Sequence, residues 1–302
     1  MLQLNGVPID DTFAEAFSTV AARLIVTAES AEWARIAGQQ ATGFATSVIA
    51  CDSEAGIERE IPPEESPDGR PGVSLMFFSF KQDAVAKAVL GRVGQCILTC
   101  PTTACYDGLP DAPKNQRFPL GGGLRYFGDG FQTSKKFGSR RLWRLPVMDG
   151  EFICDHSAGT IKGVAGGNLI LCGVDQAQTL RATEAAVAAM RRVPDIILPF
   201  PGGIVRSGSK VGSKYKTLKA STNDPFCPTV RPLSKTELPD GCGAVYEIVI
   251  DGLSFDAVQT ASRVGLHAAT ASPGLLKVTA GNYGGKLGKH HFHLRDLLIP
   301  PP

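Results

Sequence analysis

Three short segments from the first half of this chain recur, in the same structural order, in the second half. Asp83-Ala84-Val85 and Arg92-Val93-Gly94 reappear as Asp256-Ala257-Val258 and Arg263-Val264-Gly265, offset by 173 and 171 residues. Leu24-Ile25-Val26 reappears as Leu169-Ile170-Leu171, offset by 145. Echoes in matching positions imply a duplicated unit, and 302 residues suffice for two domains of ordinary size. The change in offset places about 28 extra residues in the second copy, between its first strand and its second helix.

Hydrophobic periodicity fills in the unit. In the first half, a strand at 24–26 precedes a helix over 30–41 with Trp33, Ile36, Ala37 and Ala41 on one face. A strand at 47–51, a Pro- and Glu-rich loop at 62–72 and a strand at 73–78 follow. A helix over 82–98 carries Val85, Val89, Val93 and Ile97, and a closing strand is expected at 124–127. The second half reads as a strand at 168–172, a helix from the N-cap Asp175 to Val193, and a strand at 196–198. After a long loop come a strand at 245–250, a helix with Phe255, Val258, Ala261 and Gly265 on one side, and strands at 275–279 and near 291–294. Each half is β-α-β-β-α-β. The expected class is α+β, a duplicated ferredoxin-like (split β-α-β) fold with lobes 1–148 and 149–298, an insertion at about 206–242 and a tail 299–302.

Composition narrows the function. The net charge of +2 supplies no global field for nucleic acid or membrane. No stretch of ~18 apolar residues predicts a spanning helix, and residues 1–8 lack the basic and apolar regions of a leader. Eight cysteines without a C-x-x-C pair read as small buried hydrophobes in a reducing cytoplasm, so a cytoplasmic location is expected.

Several motifs fail on inspection. The glycine-rich 281–287 evokes a P-loop but has Leu287 where a magnesium-binding hydroxyl belongs, and its glycine spacing is wrong. Gly166-Gly167 and Gly202-Gly203 are not in a dinucleotide-binding frame. On a strand only His291 and His293 share a face, with no third ligand in view, so no metal is expected. No G-x-S-x-G elbow is present and no cysteine has an evident histidine partner. The segment 42–48 only partly mimics an RNA-stacking signature, and no nucleic-acid partner is expected.

The insertion carries Arg206, Lys210, Lys214, Lys216 and Lys219 before its first acid, Asp224. It reads either as a solvated mobile surface or as a clamp for an anionic substrate, with Gly and Ser turns exposing backbone N–H groups. The acidic segment 52–68 has the opposite sign. Glu247 stands out within Val245-Tyr246-Glu247-Ile248-Val249-Ile250, where alternation puts it on one face with Val245 and Val249. Such a carboxyl is paired, solvent-facing or functional. Buried without a cation it stays protonated near neutrality and can donate a hydrogen bond to a developing oxyanion, as acyl transfer requires.

With these residues in view, the chain resembles the formylmethanofuran–tetrahydromethanopterin formyltransferases. The likeness runs through 11–17, 41–49, 62–73, 164–168, 199–205, 209–214, 220–224, 245–250 and 280–288, almost the whole chain. The resemblance implies reversible formyl transfer between formylmethanofuran, or the bacterial methylofuran, and N5 of tetrahydromethanopterin, through a ternary complex and a tetrahedral intermediate. It implies two ferredoxin-like lobes, no metal or prosthetic group, and a homo-oligomer, commonly a tetramer. The family's key glutamate maps onto Glu247. Pro201, Gly202 and Gly203 are expected to let backbone approach the substrate; Ser207, Lys210, Lys214 and Asn223 are candidates for the polar parts of the carriers. Archaeal members are often strongly acidic, whereas this chain is slightly basic, with a further basic stretch at Lys135, Lys136, Arg140, Arg141 and Arg144. That balance fits the branch in methylotrophic bacteria, where the transferase serves formaldehyde oxidation beside the hydrolase subunits of a formyltransferase/hydrolase complex, with net flow toward formate. The alternative is a non-catalytic carrier-binding scaffold subunit of such a complex.

Overall fold

The computed structural model describes residues 2–300. The chain gathers into two compact units: a terminal unit of Met1–Ser18 with Val164–Pro302, and a central unit of Thr19–Gly163. The boundary expected at 148/149 falls within the central unit, and residues 301 and 302 of the expected tail lie outside the described residues.

Strand β1 (Phe13–Thr27) enters the central unit at Thr19, followed by α1 (Ala31–Thr42), β2 (Glu54–Ile61), β3 (Gly72–Ser79), α2 (Gln82–Arg92) and β4 (Ala104–Asp107). Their sheet order is β2-β3-β1-β4, antiparallel throughout. Leu24, Val26, Leu75 and Phe77 alternate onto one face and share a buried core with Val85, Val89, Val93 and Ile97. Full burial of each such side chain is worth roughly 1.5–3 kcal/mol. The hairpin of β5 (Arg140–Val147) and β6 (Gly150–Asp155) extends the sheet, with β6 parallel to β4.

Three expectations for this unit are corrected. Residues 48–50 form a turn, with Ile49 56% exposed; the strand is β2, whose charged residues suit an edge position and include Glu58, paired with Arg23 at 2.7 Å. The closing strand is β4 rather than 124–127, which is helical and leaves Tyr126 and Phe127 exposed. The buried stripe of α1 is Ala34, Ala37, Gly38 and Ala41, not one centred on Trp33. Small residues win because a Cβ on Gly38 would already lie 3.0–3.2 Å from Val73, Leu75 and Ile57.

The terminal unit continues from β7 (Ile161–Gly173) through α3 (Gln176–Met190), β8 (Ile196–Ile197), β9 (Ala244–Gly252), α4 (Phe255–Thr270), β10 (Leu275–Thr279) and β11 (His290–His293). Its antiparallel order is β8-β9-β7-β10. Strand β11 pairs with the first residues of β1, His291 opposite Glu15. Asp175 caps α3 by accepting the Gln178 N–H at 2.7 Å, and Ser254 caps α4 through the Ala257 N–H at 3.1 Å. Leu169, Leu171, Ile248, Ile250 and Val278 form one core with Val258, Ala261 and Leu266 of α4. The alternate residues Ile170 and Cys172 pack instead with Phe226, Leu238 and Cys242. One sheet face is thus covered by helices and the other by the insertion. The insertion is structured: Lys210–Val211 pairs with Ala220–Ser221, and single helical turns follow at Asp224–Phe226 and Pro228–Val230.

Candidate active site

Strand register assembles the site on the face opposite the helices. Thr279, Ile170 and Glu247 stand directly across from one another on β10, β7 and β9, and an isolated bridge adds Val205 beyond Glu247. Directly paired residues share a face, so the Glu247 carboxyl is flanked by Ile170 and Val205, both apolar and buried. A cleft open to solvent lies over them, lined among others by Arg206, Ser207, Asn223 and Cys227.

Glu247 is partly buried and accepts no ion pair among the described residues. Desolvation alone pushes its carboxyl up to about 7. At neutral pH a substantial fraction is the neutral acid, able to donate a hydrogen bond into the cleft.

Beyond Thr279 the chain forms a glycine-rich loop that Glu15 organises. The Tyr283 and Gly285 N–H groups donate to Glu15 Oε2 at 2.6 and 2.9 Å, and those of Leu287 and Gly288 donate to Oε1 at 2.6 Å each. Burial opposes ionisation of Glu15, but the four backbone donors outweigh it and hold the carboxyl below its ordinary value. The segment that fails as a P-loop therefore still builds an anion cradle, and its anion is the chain's own carboxylate. Gly284 and Gly285 supply the turn with φ of +69° and +72°. Asn168, on the Glu247 face two residues from Ile170, clamps Gly281 with two hydrogen bonds of 2.6 and 3.2 Å. Burial raises the Tyr283 phenol, and the charges of Glu247 and Glu15 add to the shift.

The expected site residues divide. Ser207 and Asn223 line the cleft with Glu247, joined there by the close approach of Gly208 to Asn223. Pro201, Gly202 and Gly203 form a single turn leading to Val205 and do not line the cleft; Gly203 packs against Val187 and Leu198, where a Cβ would lie at 3.1–3.2 Å. Lys210 is ion-paired with Asp224, and Lys214 is exposed outside the cleft. Glu15, Asn168 and Tyr283, which build the loop beyond Thr279, were not among the expected residues, because each takes its place through a fold contact that spacing does not encode. The available signal was the density of N–H-exposing glycines at 281–288. No cluster of three or more potential metal ligands occurs among the described residues, and none of their helices is long and apolar enough to cross a membrane.

Comparison with known proteins shows the family. Residues 2–147 match the family model of formylmethanofuran–tetrahydromethanopterin formyltransferase, and residues 150–297 match the model of its proximal lobe. A formylmethanofuran–tetrahydromethanopterin formyltransferase from Methylococcus capsulatus is 56% identical over 98% of this chain and 99% of its own length. A solved structure of the formyltransferase/hydrolase complex from Methylorubrum extorquens, in complex with methylofuran, holds a chain 52% identical with a TM-score of 0.95, covering 100% of this chain and 99% of that one. The formyltransferase structure from Methanosarcina barkeri superposes with a TM-score of 0.93 at 47% identity, over 98% of this chain and all of that one. This chain belongs to the formylmethanofuran–tetrahydromethanopterin formyltransferase family.

Proposed function

We propose that the chain catalyses reversible transfer of a formyl group between formylmethanofuran, or methylofuran, and N5 of tetrahydromethanopterin, with both carriers as co-substrates and no prosthetic group. The observation that carries the mechanism is the unpaired Glu247, held near pH 7 between two apolar neighbours in an open cleft. The N5 amine attacks the formyl carbon, and the carbonyl oxygen becomes the oxyanion of a tetrahedral intermediate. Protonated Glu247 donates a hydrogen bond to that oxygen from between its two apolar neighbours, lowering the barrier. N5 gives up its proton and the departing nitrogen takes one up as the intermediate collapses, so that the C–N bond to the other carrier breaks and that carrier leaves as its free amine. Holding both carriers in a ternary complex supplies the orientation. Ser207 and Asn223 contact polar groups of the carriers beside Glu247. Lys210 and Lys214 contribute positive charge at the margin, and the 201–203 turn sets the approach to Val205.

We read the two β-α-β-β-α-β runs as duplicated ferredoxin-like lobes, 1–148 and 149–298. The matching orders β2-β3-β1-β4 and β8-β9-β7-β10 support this, since first, second, third and fourth strands occupy equivalent places. We also place the protein in the cytoplasm as a homotetramer that joins the hydrolase subunits of a formyltransferase/hydrolase complex. The likeness to a chain of the Methylorubrum extorquens complex supports the last point. The test is a formyl-transfer assay on the purified chain with both carriers and no partner subunits. Turnover is expected; a folded chain that binds both carriers without turnover would contradict the enzyme reading.

A further inference from the structure

We infer that Glu15 is a positioning residue for formyl transfer: its carboxylate fixes the 281–288 loop in one conformation and so sets Tyr283 at the edge of the Glu247 face. The inference rests on the role of Glu247 proposed above. The loop leaves β10 at Thr279, in the same cross-strand row as Glu247, and Asn168 on that face holds Gly281. The Glu15 N–H also donates to the Gly281 carbonyl at 3.1 Å. From there to Gly288 the loop contains Gly284, Gly285 and Gly288, which bring little conformational preference of their own. The main anchor of this stretch is one buried carboxylate, 1% exposed, taking four backbone N–H groups at 2.6–2.9 Å; Asn282 adds bonds to Thr12 and the Phe13 carbonyl and accepts the Gly284 N–H. The first of those donors is Tyr283 itself, whose ring lies 6.3 Å from that of Phe17. Tyr283 follows Thr279 of the Glu247 row by four residues, and burial, with the charges of Glu247 and Glu15 adding to it, raises its phenol. Glu15 is not among the residues that line the cleft, so its effect on chemistry passes through the loop.

The test compares Glu15→Gln, Tyr283→Ala and Glu247→Ala in the full chain. It reads amide hydrogen exchange over 281–288 and the kcat and KM of formyl transfer with formylmethanofuran and tetrahydromethanopterin. Glu15→Gln leaves two of the four N–H groups facing an amide nitrogen. Exchange protection at 283–288 is expected to fall while protection elsewhere holds, with kcat lowered about tenfold or more and both KM values changed less than about threefold. Tyr283→Ala is expected to reproduce the kcat loss while the Gly285, Leu287 and Gly288 amides stay protected. A mobile loop with wild-type kcat in Glu15→Gln, or wild-type kcat in Tyr283→Ala, would overturn the inference; if Glu15→Gln does not fold, Tyr283→Ala decides alone. Glu247→Ala separates the two claims. Its inactivity beside fully active Glu15 and Tyr283 variants removes only the positioning role, whereas its full activity removes the Glu247 reading and this one with it.

Discussion

Val205 and Glu247 exchange both of their backbone hydrogen bonds, 2.7 Å from the Val205 N–H to the Glu247 carbonyl and 2.9 Å in return. This bridge ties the start of the insertion to the strand that carries the carboxyl. Arg206 and Ser207 therefore begin the cleft wall directly beyond a fixed point, and Val205 closes one side of Glu247 while Ile170 closes the other. The apolar flanks explain why the carboxyl is raised, and the open cleft explains how a substrate reaches it.

The first prediction concerns rate against pH. If the neutral acid is the donor, kcat falls above a pKa of about 7 as Glu247 ionises. The limb should vanish in Glu247→Gln, whose amide donates a hydrogen bond at every pH. Initial rates between pH 5.5 and 9 for both proteins check this; an unchanged limb in the variant would assign it to another group.

Stability should depend on pH through the same residue. A carboxyl raised from 4.5 in the unfolded chain to about 7 in the folded one contributes stability present below pH 4.5 and lost as pH rises to 7. Glu247→Gln escapes that loss. Urea melts should show it more stable than wild type by about 3 kcal/mol at pH 8 and by less than ~1 kcal/mol at pH 5. A gap of constant size would contradict the shift.

Lys210 provides a contrast. Its partner Asp224 sits below the ordinary carboxylate range, chiefly through the hydrogen bond from Lys210, but the pair is at the surface. Lys210→Ala should therefore leave stability close to wild type. The expected effect is a higher KM for a carrier with kcat held, read from saturation curves. A loss confined to kcat would place Lys210 in the chemistry instead.

Gly265 tests the core away from the site. A Cβ there would collide with the Met190 side chain, where α4 meets α3. Gly265→Ala should cost roughly 1–3 kcal/mol by overpacking, offset in part by better helix propensity. Its KM values should match wild type. Denaturant midpoints and steady-state kinetics on one preparation check both halves.

Much of this was legible in the sequence because the signals were local. The caps Asp175 and Ser254, the valine stripe of α2 and the alternation around Glu247 each fix structure within a few residues. Where the reading failed, tertiary context decided. Val48-Ile49-Ala50 is apolar enough for a strand yet turns at the surface, while the charged β2 is a true edge strand. At the candidate site, Glu247, Ser207 and Asn223, each expected from the sequence, line one cleft. Lys210, expected on its charge, is ion-paired with Asp224, and Gly203, expected to let backbone approach a substrate, packs against Val187 and Leu198. Glu15 lies 268 residues from the Tyr283 amide it binds, and no spacing rule reaches that far.

The most direct measurement is the single-turnover rate of formyl transfer for wild type, Glu247→Gln and Glu247→Ala at pH 6.5, with both carriers saturating. The account predicts that Glu247→Ala is slower by about 10²-fold, the scale of a lost oxyanion donor, with Glu247→Gln well above it. Wild-type rates in both variants would contradict the role of Glu247 outright.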